Sequence, residues 1–336
     1  MRAYELRGVG LDNLVVAERP LPRPAAGQVL VRVRATSLNY RDLLIVRGQY
    51  RLSQLRYPLI PLSDGAGEVV EVGPGVQRLR PGDRVVGSFF QTWIDGPPDA
   101  EKRASALGGA IDGVLAEHVV LEEAAAIRFP DHLSFEEAAT LPCAGVTVWV
   151  GFMVYGQLEA GQTVLAMGTG GVSVLALQVA KAVGARVILI SSSDEKLARA
   201  KALGADETIN YSRTPDWDAR ARELTGGRGV DHILEVGGDK TLPQSLRAVR
   251  DGGHVTLVGV LSGAPGDLGV AARENRGVRA EAIYVGSARQ LEALCDFVAR
   301  TTLKPVVDRV FPFDDTRAAY DYQDNRRHFG KVVIRV

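Results

Sequence analysis

The residues best suited to chemistry lie where an apolar run, Val164-Leu165-Ala166-Met167, passes straight into Gly168-Thr169-Gly170-Gly171-Val172-Ser173 and then into a second apolar stretch. A strand, a glycine turn and a helix in that order bring backbone N–H groups to a pyrophosphate at the positive end of the helix, which is how a dinucleotide is held. Ser173 stands where a third glycine is usual, and it is small enough for helix to pack on strand. An NAD site places Asp or Glu at the end of the next strand, about 20 residues on, for the ribose 2′-hydroxyl. Here Ser191-Ser192-Ser193 occupies that place, with Lys196 one turn further. Hydroxyls, N–H groups and an ammonium can receive a 2′-phosphate, so the cofactor expected is NADPH. Asp194 and Glu195 keep NADH open, and Ser192 with Glu195 reads equally well as a capping box for the following helix.

Two other ways of moving hydride are disfavoured. None of the nine tyrosines has Lys four residues later, so no Tyr–Lys pair shares a helix face. The five histidines and the two cysteines, Cys143 and Cys295, show no ligand spacing, and without a Cys-x-x-Cys pair neither a zinc ribbon nor a disulfide scaffold is expected. No metal site is predicted.

These residues need elements to hold them. Up to about residue 124 the chain alternates and turns often, as in Gln28-Val29-Leu30-Val31-Arg32-Val33 and Arg80-Pro81-Gly82-Asp83-Arg84-Val85, which predicts a small β-rich module. Residues 91–109 lack a period and read as a surface excursion, either a lid or a plain loop. From about 125 to 286, strands at 163–167, 186–190, 207–210, 231–236 and 254–258 alternate with helices at 172–183 and 195–203, which predicts a doubly wound parallel sheet. Residues 306–336 return to short strands, and the segment 287–336 is expected to rejoin the first module. Forty basic and forty acidic side chains cancel, so no global field would hold nucleic acid or an anionic membrane. Glycines break the most apolar stretch, 164–180, short of the roughly 20 residues of a membrane span, and the N-terminus has no signal-like core, so a cytoplasmic protein is expected.

Several blocks together resemble the medium-chain dehydrogenases/reductases, in particular their zinc-independent quinone oxidoreductase branch. They are Ser37-Leu38-Asn39-Tyr40-Arg41-Asp42, Ser63-Asp64-Gly65-Ala66-Gly67-Glu68-Val69, Arg80 to Val85, Leu141 to Thr147, the Gly168 turn and Phe329-Gly330-Lys331-Val332-Val333. The resemblance implies a GroES-like domain beside a Rossmann domain, a cleft between them for nicotinamide and substrate, and a homodimer. It implies that Asn39, Ser63 and Cys143 stand where zinc-dependent relatives carry Cys, His and Cys. It also implies that Thr147 and Asn39 lie near the nicotinamide, Tyr211 near the adenine, and Asn325 near the cofactor. With no metal, a quinone or conjugated enone is the acceptor expected, since either delocalises the charge that hydride brings. Asn39 and Tyr40 are then the candidate oxyanion and proton partners, with Asp42 orienting the loop. Alcohol dehydrogenase chemistry on small alcohols or aldehydes is the near alternative, and a cofactor-binding protein without turnover the more distant one.

Overall fold

The structure, a computed structural model, describes residues 1–50, 55–259 and 277–336. The chain divides into two compact units, one of Met1–Val146 with Val285–Val336, the other of Thr147–Tyr284. The sequence reading set the first boundary about 22 residues earlier, at 124/125. The difference arises because the short strand Ala126–Arg128 pairs with Arg84–Gly87, and the segment after it is tied to the same sheet, the Ser37 hydroxyl donating to the Ala139 carbonyl and the Cys143 N–H to Asp64.

In the β-rich unit seven of the described strands form a sheet around the long strand Gln28–Ser37, and Arg2–Leu6 pairs with Leu14–Glu18 in a separate two-stranded one. That strand pairs antiparallel with Asp64–Val72 on one side, where Ser37 faces Asp64, and with Lys331–Arg335 on the other, where Ser37 faces Val333. The return segment therefore does rejoin the first module, although it also carries a helix, Thr316–Asp324, that its strand-like texture did not suggest. Residues 91–109 are not a loose excursion. Gln91, Trp93, Ser105 and Leu107 are buried, and the carbonyls of Trp93 and Ile94 accept the N–H groups of Ala288 and Arg289 at the start of the helix Ala288–Thr301.

The second unit holds a sheet of six described strands, all parallel, in the order Glu207–Asn210, Arg186–Ser191, Thr163–Met167, Val230–Glu235, Val249–Leu257, Arg279–Ala282. The order turns back beside Thr163–Met167, and in such sheets a ligand is taken beyond the carboxyl ends of the strands at that switch. The core is aliphatic, built from Leu165, Ile188, Ile190, Ile233, Val255 and their neighbours around Trp217. Among the described residues no helix is long and apolar enough to cross a membrane.

One core histidine makes this unit sensitive to acid. His232 is buried, its Nε2 2.8 Å from Gln162 Oε1, and burial pushes its pKa down to about 4, with Asp231 opposing the shift. Below the ordinary histidine value the unfolded chain binds the proton more readily than the fold does, so this contribution is present in full above about pH 6.5 and fades as pH falls toward 4. Between pH 7 and 5 it should cost about 2 kcal/mol. Unfolding free energies of wild type and His232→Asn at the two pH values check this, and an equal loss in both proteins would refute it.

Candidate active site

In the β-rich unit the register of the sheet decides which side chains meet. With Val333 opposite Ser37, the antiparallel pairing carried two residues further sets Lys331 opposite Asn39, and Asp64 lies across the strand on the other side of Ser37. Lys331 is buried, and its ammonium donates to the Leu38 carbonyl at 2.7 Å and to Asn39 Oδ1 at 2.6 Å, with Asp64 Oδ2 at 3.7 Å. Asp64 is fully buried. It accepts the Ser63 hydroxyl at 2.7 Å and the Cys143 backbone N–H at 3.2 Å. Asn39 precedes the helix Tyr40–Val46, and its N–H donates to Asp42 Oδ2 at 2.8 Å, which holds Asn39 at the helix start. Burial pushes the Asp42 carboxyl up to about 6, with Arg41 the strongest opposing charge. Asp42 thus caps the helix start, and Tyr40 is the half-buried first residue of the helix. Two polar atoms are left over, Asn39 Nδ2, a donor, and Asp42 Oδ1, an acceptor, both buried without a hydrogen-bond partner.

These residues suit a zinc ion poorly. Zinc takes thiolate, neutral imidazole or carboxylate ligands. Here the Cys143 thiol is driven far above its ordinary pKa by burial and by Asp64, which disfavours the thiolate. The oxygens of Asn39 and Ser63 are engaged with Lys331 and Asp64, and the Lys331 ammonium itself would repel a second cation. Among the described residues no group of three or more His, Cys, Asp or Glu could hold a metal. Asp64 and Lys331 had been given no role in the sequence reading. The signal was a Lys opening the apolar strand Lys331-Val332-Val333-Ile334, since a buried ammonium there needs a carboxylate nearby.

In the parallel-sheet unit the Gly168 turn follows the strand directly. Gly168 has φ +83°, a conformation that any side chain would strain, and its N–H donates to the Ile190 carbonyl. Gly170 caps the helix Gly171–Val183, so the N–H groups of Gly171, Val172 and Ser173 lack carbonyl partners within the helix and suit an anion. Thr169 is buried in the turn. The Ser173 hydroxyl donates to the Met167 carbonyl at 2.5 Å, fastening helix to strand where glycine would permit only close approach.

Ser191 ends its strand as read, and its Oγ accepts the Ser193 N–H at 3.3 Å. The helix cap expected from Ser192 and Glu195 is instead Ser193, whose Oγ accepts the Lys196 N–H, because the helix begins at Asp194. Asp194 is ion-paired with Arg213 and accepts from Asn210 Nδ2 at 2.6 Å, so the nearest carboxylate is neutralised. Tyr211 is 40% exposed and its N–H donates to the Ser191 carbonyl, so these two residues lie together. Thr147 is buried, within a short α-turn flanked by π-wound segments. Asn325 belongs to the β-rich unit, where its Nδ2 donates to the Asp321 carbonyl at 2.8 Å and closes the end of its own helix. The turn and the end of the second strand fit a dinucleotide.

Residues 25–131 match the alcohol dehydrogenase GroES-like domain, and residues 171–300 match the zinc-binding dehydrogenase family. A zinc-type alcohol dehydrogenase-like protein of Schizosaccharomyces pombe is 44% identical over 97% of this chain and 96% of its own length. The chain belongs to the medium-chain, zinc-type alcohol dehydrogenase-like family. It is an NAD(P)H-dependent oxidoreductase with a GroES-like domain and a Rossmann-like domain. Among solved structures of this family, an NAD-dependent alcohol dehydrogenase is 37% identical with a TM-score of 0.90, the alignment covering 100% of both chains. A quinone oxidoreductase of Pseudomonas syringae pv. tomato DC3000 is 30% identical with a TM-score of 0.84, covering 100% of this chain and 99% of that one.

Proposed function

We propose that this family member is a zinc-independent, NADPH-dependent reductase of quinones or α,β-unsaturated carbonyls. The observation that carries the reading is that Asn39 and Ser63, at places where metal-dependent relatives hold ligands, spend their oxygens on Lys331 and Asp64. The likeness to a quinone oxidoreductase supports it. Bound NADPH supplies hydride, two electrons with one hydrogen nucleus, to the acceptor. As that pair arrives, a carbonyl electron pair withdraws onto oxygen, and Asn39 Nδ2–H is the donor that holds the negative oxygen. Tyr40, or water, supplies the proton that completes the product. Asp42 keeps Asn39 at the helix start. A simple ketone would miss a metal Lewis acid more than these delocalised acceptors do.

The carboxylate-free end of the strand Arg186–Ser191 and the pairing of Asp194 with Arg213 support the NADPH preference. Ser191→Asp is expected to raise the ratio of NADPH Kd to NADH Kd by at least about tenfold, a difference of about 1.4 kcal/mol from repulsion of the 2′-phosphate. Titrations of intrinsic fluorescence check it, and an unchanged ratio would remove the residue from the 2′ subsite.

The deciding experiment follows NADPH oxidation, with NADH as control, by a quinone and then an enone in chelator-treated protein. NADPH-selective turnover is expected. Activity lost with chelator and restored by zinc would return the protein to metal-dependent alcohol dehydrogenase chemistry. Tight NADPH binding with no acceptor reduced would make it a cofactor-binding protein.

A further inference from the structure

We propose that Lys331 is a positioning residue that turns the Asn39 amide into an oriented, polarised donor for the acceptor oxygen, a role that rests on the reductase reading above. An ammonium has three donors and no acceptor. The Asn39 atom 2.6 Å from Lys331 Nζ must therefore be the amide oxygen, and the NH2 is forced to the other side. There Nδ2 is buried and has no partner. A buried donor in a native fold is nearly always satisfied, so one left open marks the place of a ligand acceptor. A carbonyl oxygen gaining charge is that acceptor.

Lys331 does more than set a rotamer. Donation from a cation to Oδ1 draws electron density out of the amide and makes Nδ2–H a stronger donor. The positive charge lies one amide away from the developing oxyanion, supplied by a side chain. Asp64 at 3.7 Å and the Leu38 carbonyl at 2.7 Å keep the ammonium in place, while the Ser63 hydroxyl and the Cys143 N–H hold Asp64. The chain of contacts runs from Asp64 to Lys331 to Asn39 and ends on an open N–H.

The test uses the full chain in four forms: wild type, Lys331→Met, Asn39→Ala and the double variant. In protein labelled with ¹⁵N-asparagine, the side-chain NH2 resonance pair that Asn39→Ala removes belongs to Asn39. Lys331→Met is expected to shift or broaden that pair without any acceptor present. Its kcat with an enone should fall about 100-fold, with cofactor Kd and acceptor KM within about threefold. Added to Asn39→Ala, Lys331→Met should cost less than about threefold more, because both changes remove the same donor. Unmoved Asn39 resonances, or losses that multiply in the double variant, would overturn the proposal. Where the Met variant fails to fold, Lys331→Gln keeps a donor without the charge. It should move the Asn39 resonances less than Lys331→Met does and lower kcat about tenfold, and a kcat equal to wild type would overturn the electrostatic part. Resonances that move in a protein that reduces no acceptor would sink the reductase reading while supporting the orientation of Asn39.

Discussion

Asn39→Ala is expected to lower kcat with an enone acceptor about 10²–10³-fold, the usual loss when one preorganised donor to a developing oxyanion is removed. NADPH binding should persist, because the glycine turn and the end of the second strand belong to the other unit. Two features of the site make the loss large. Nδ2 makes no hydrogen bond within the fold that the acceptor would have to displace, and its partner across the amide is a cation held by a carboxylate. Asn39→Asp separates donor from scaffold: a carboxylate still accepts from Lys331 Nζ but offers no N–H and sets a negative charge beside the developing oxyanion, so the loss should be at least that of the alanine variant. Steady-state kcat and KM for quinone and enone, with cofactor Kd measured separately, check both variants. A fall of less than about threefold in both would move oxyanion stabilisation to Tyr40 or water.

The parts of this site that are local in sequence could be read there, and the parts made by register could not. Gly168 to Val172 follow a strand and open a helix within about ten residues, and each step leaves a mark in composition. Strands at 163–167 and 207–210 fall where the apolar runs indicated. The meeting of Lys331 with Asn39 joins residues 292 apart, and it depends on Val333 facing Ser37 rather than its neighbour. A slip of one residue would have turned Lys331 to the other face of the sheet. Lys331 was legible only as a charge in an apolar strand. The domain boundary was displaced for a similar reason. Three residues, Ala126–Arg128, carry no periodicity of their own, and only pairing with Arg84–Gly87 shows to which unit they belong. Ser193 was passed over as a cap because Ser191, Ser192 and Ser193 are interchangeable until the first helical residue is known.

Glu235 is the sharpest case of a role invisible before folding, and its replacement by Ala should cost about 3–5 kcal/mol of stability. At the end of a strand a glutamate reads as a solvated acid. Here it is fully buried and hydrogen-bonded to four residues. Its Oε1 accepts the N–H groups of Gly237 and Gly238 at 2.7 and 3.0 Å and the Thr241 hydroxyl at 2.7 Å, while Oε2 accepts the Ser245 hydroxyl. One carboxylate thus fixes the turn after the strand Val230–Glu235 and the first turns of the helix Leu242–Ala248. Ala removes the acceptor of the Gly237 and Gly238 N–H groups and of the Ser245 hydroxyl and leaves the Thr241 hydroxyl with only the Gly238 carbonyl at 3.3 Å, and unmade bonds of this kind cost more than made ones return. Glu235→Gln keeps one acceptor oxygen and can donate to Ser245, so about half the loss should be recovered. Urea unfolding followed by Trp217, which lies in the core of the same unit, reports the effect. The turn sits at the carboxyl edge of the sheet, where sheets of this kind take a nucleotide, so cofactor affinity should fall along with stability. An alanine variant as stable as wild type would mean that the turn is held by its own backbone geometry and that the carboxylate is dispensable.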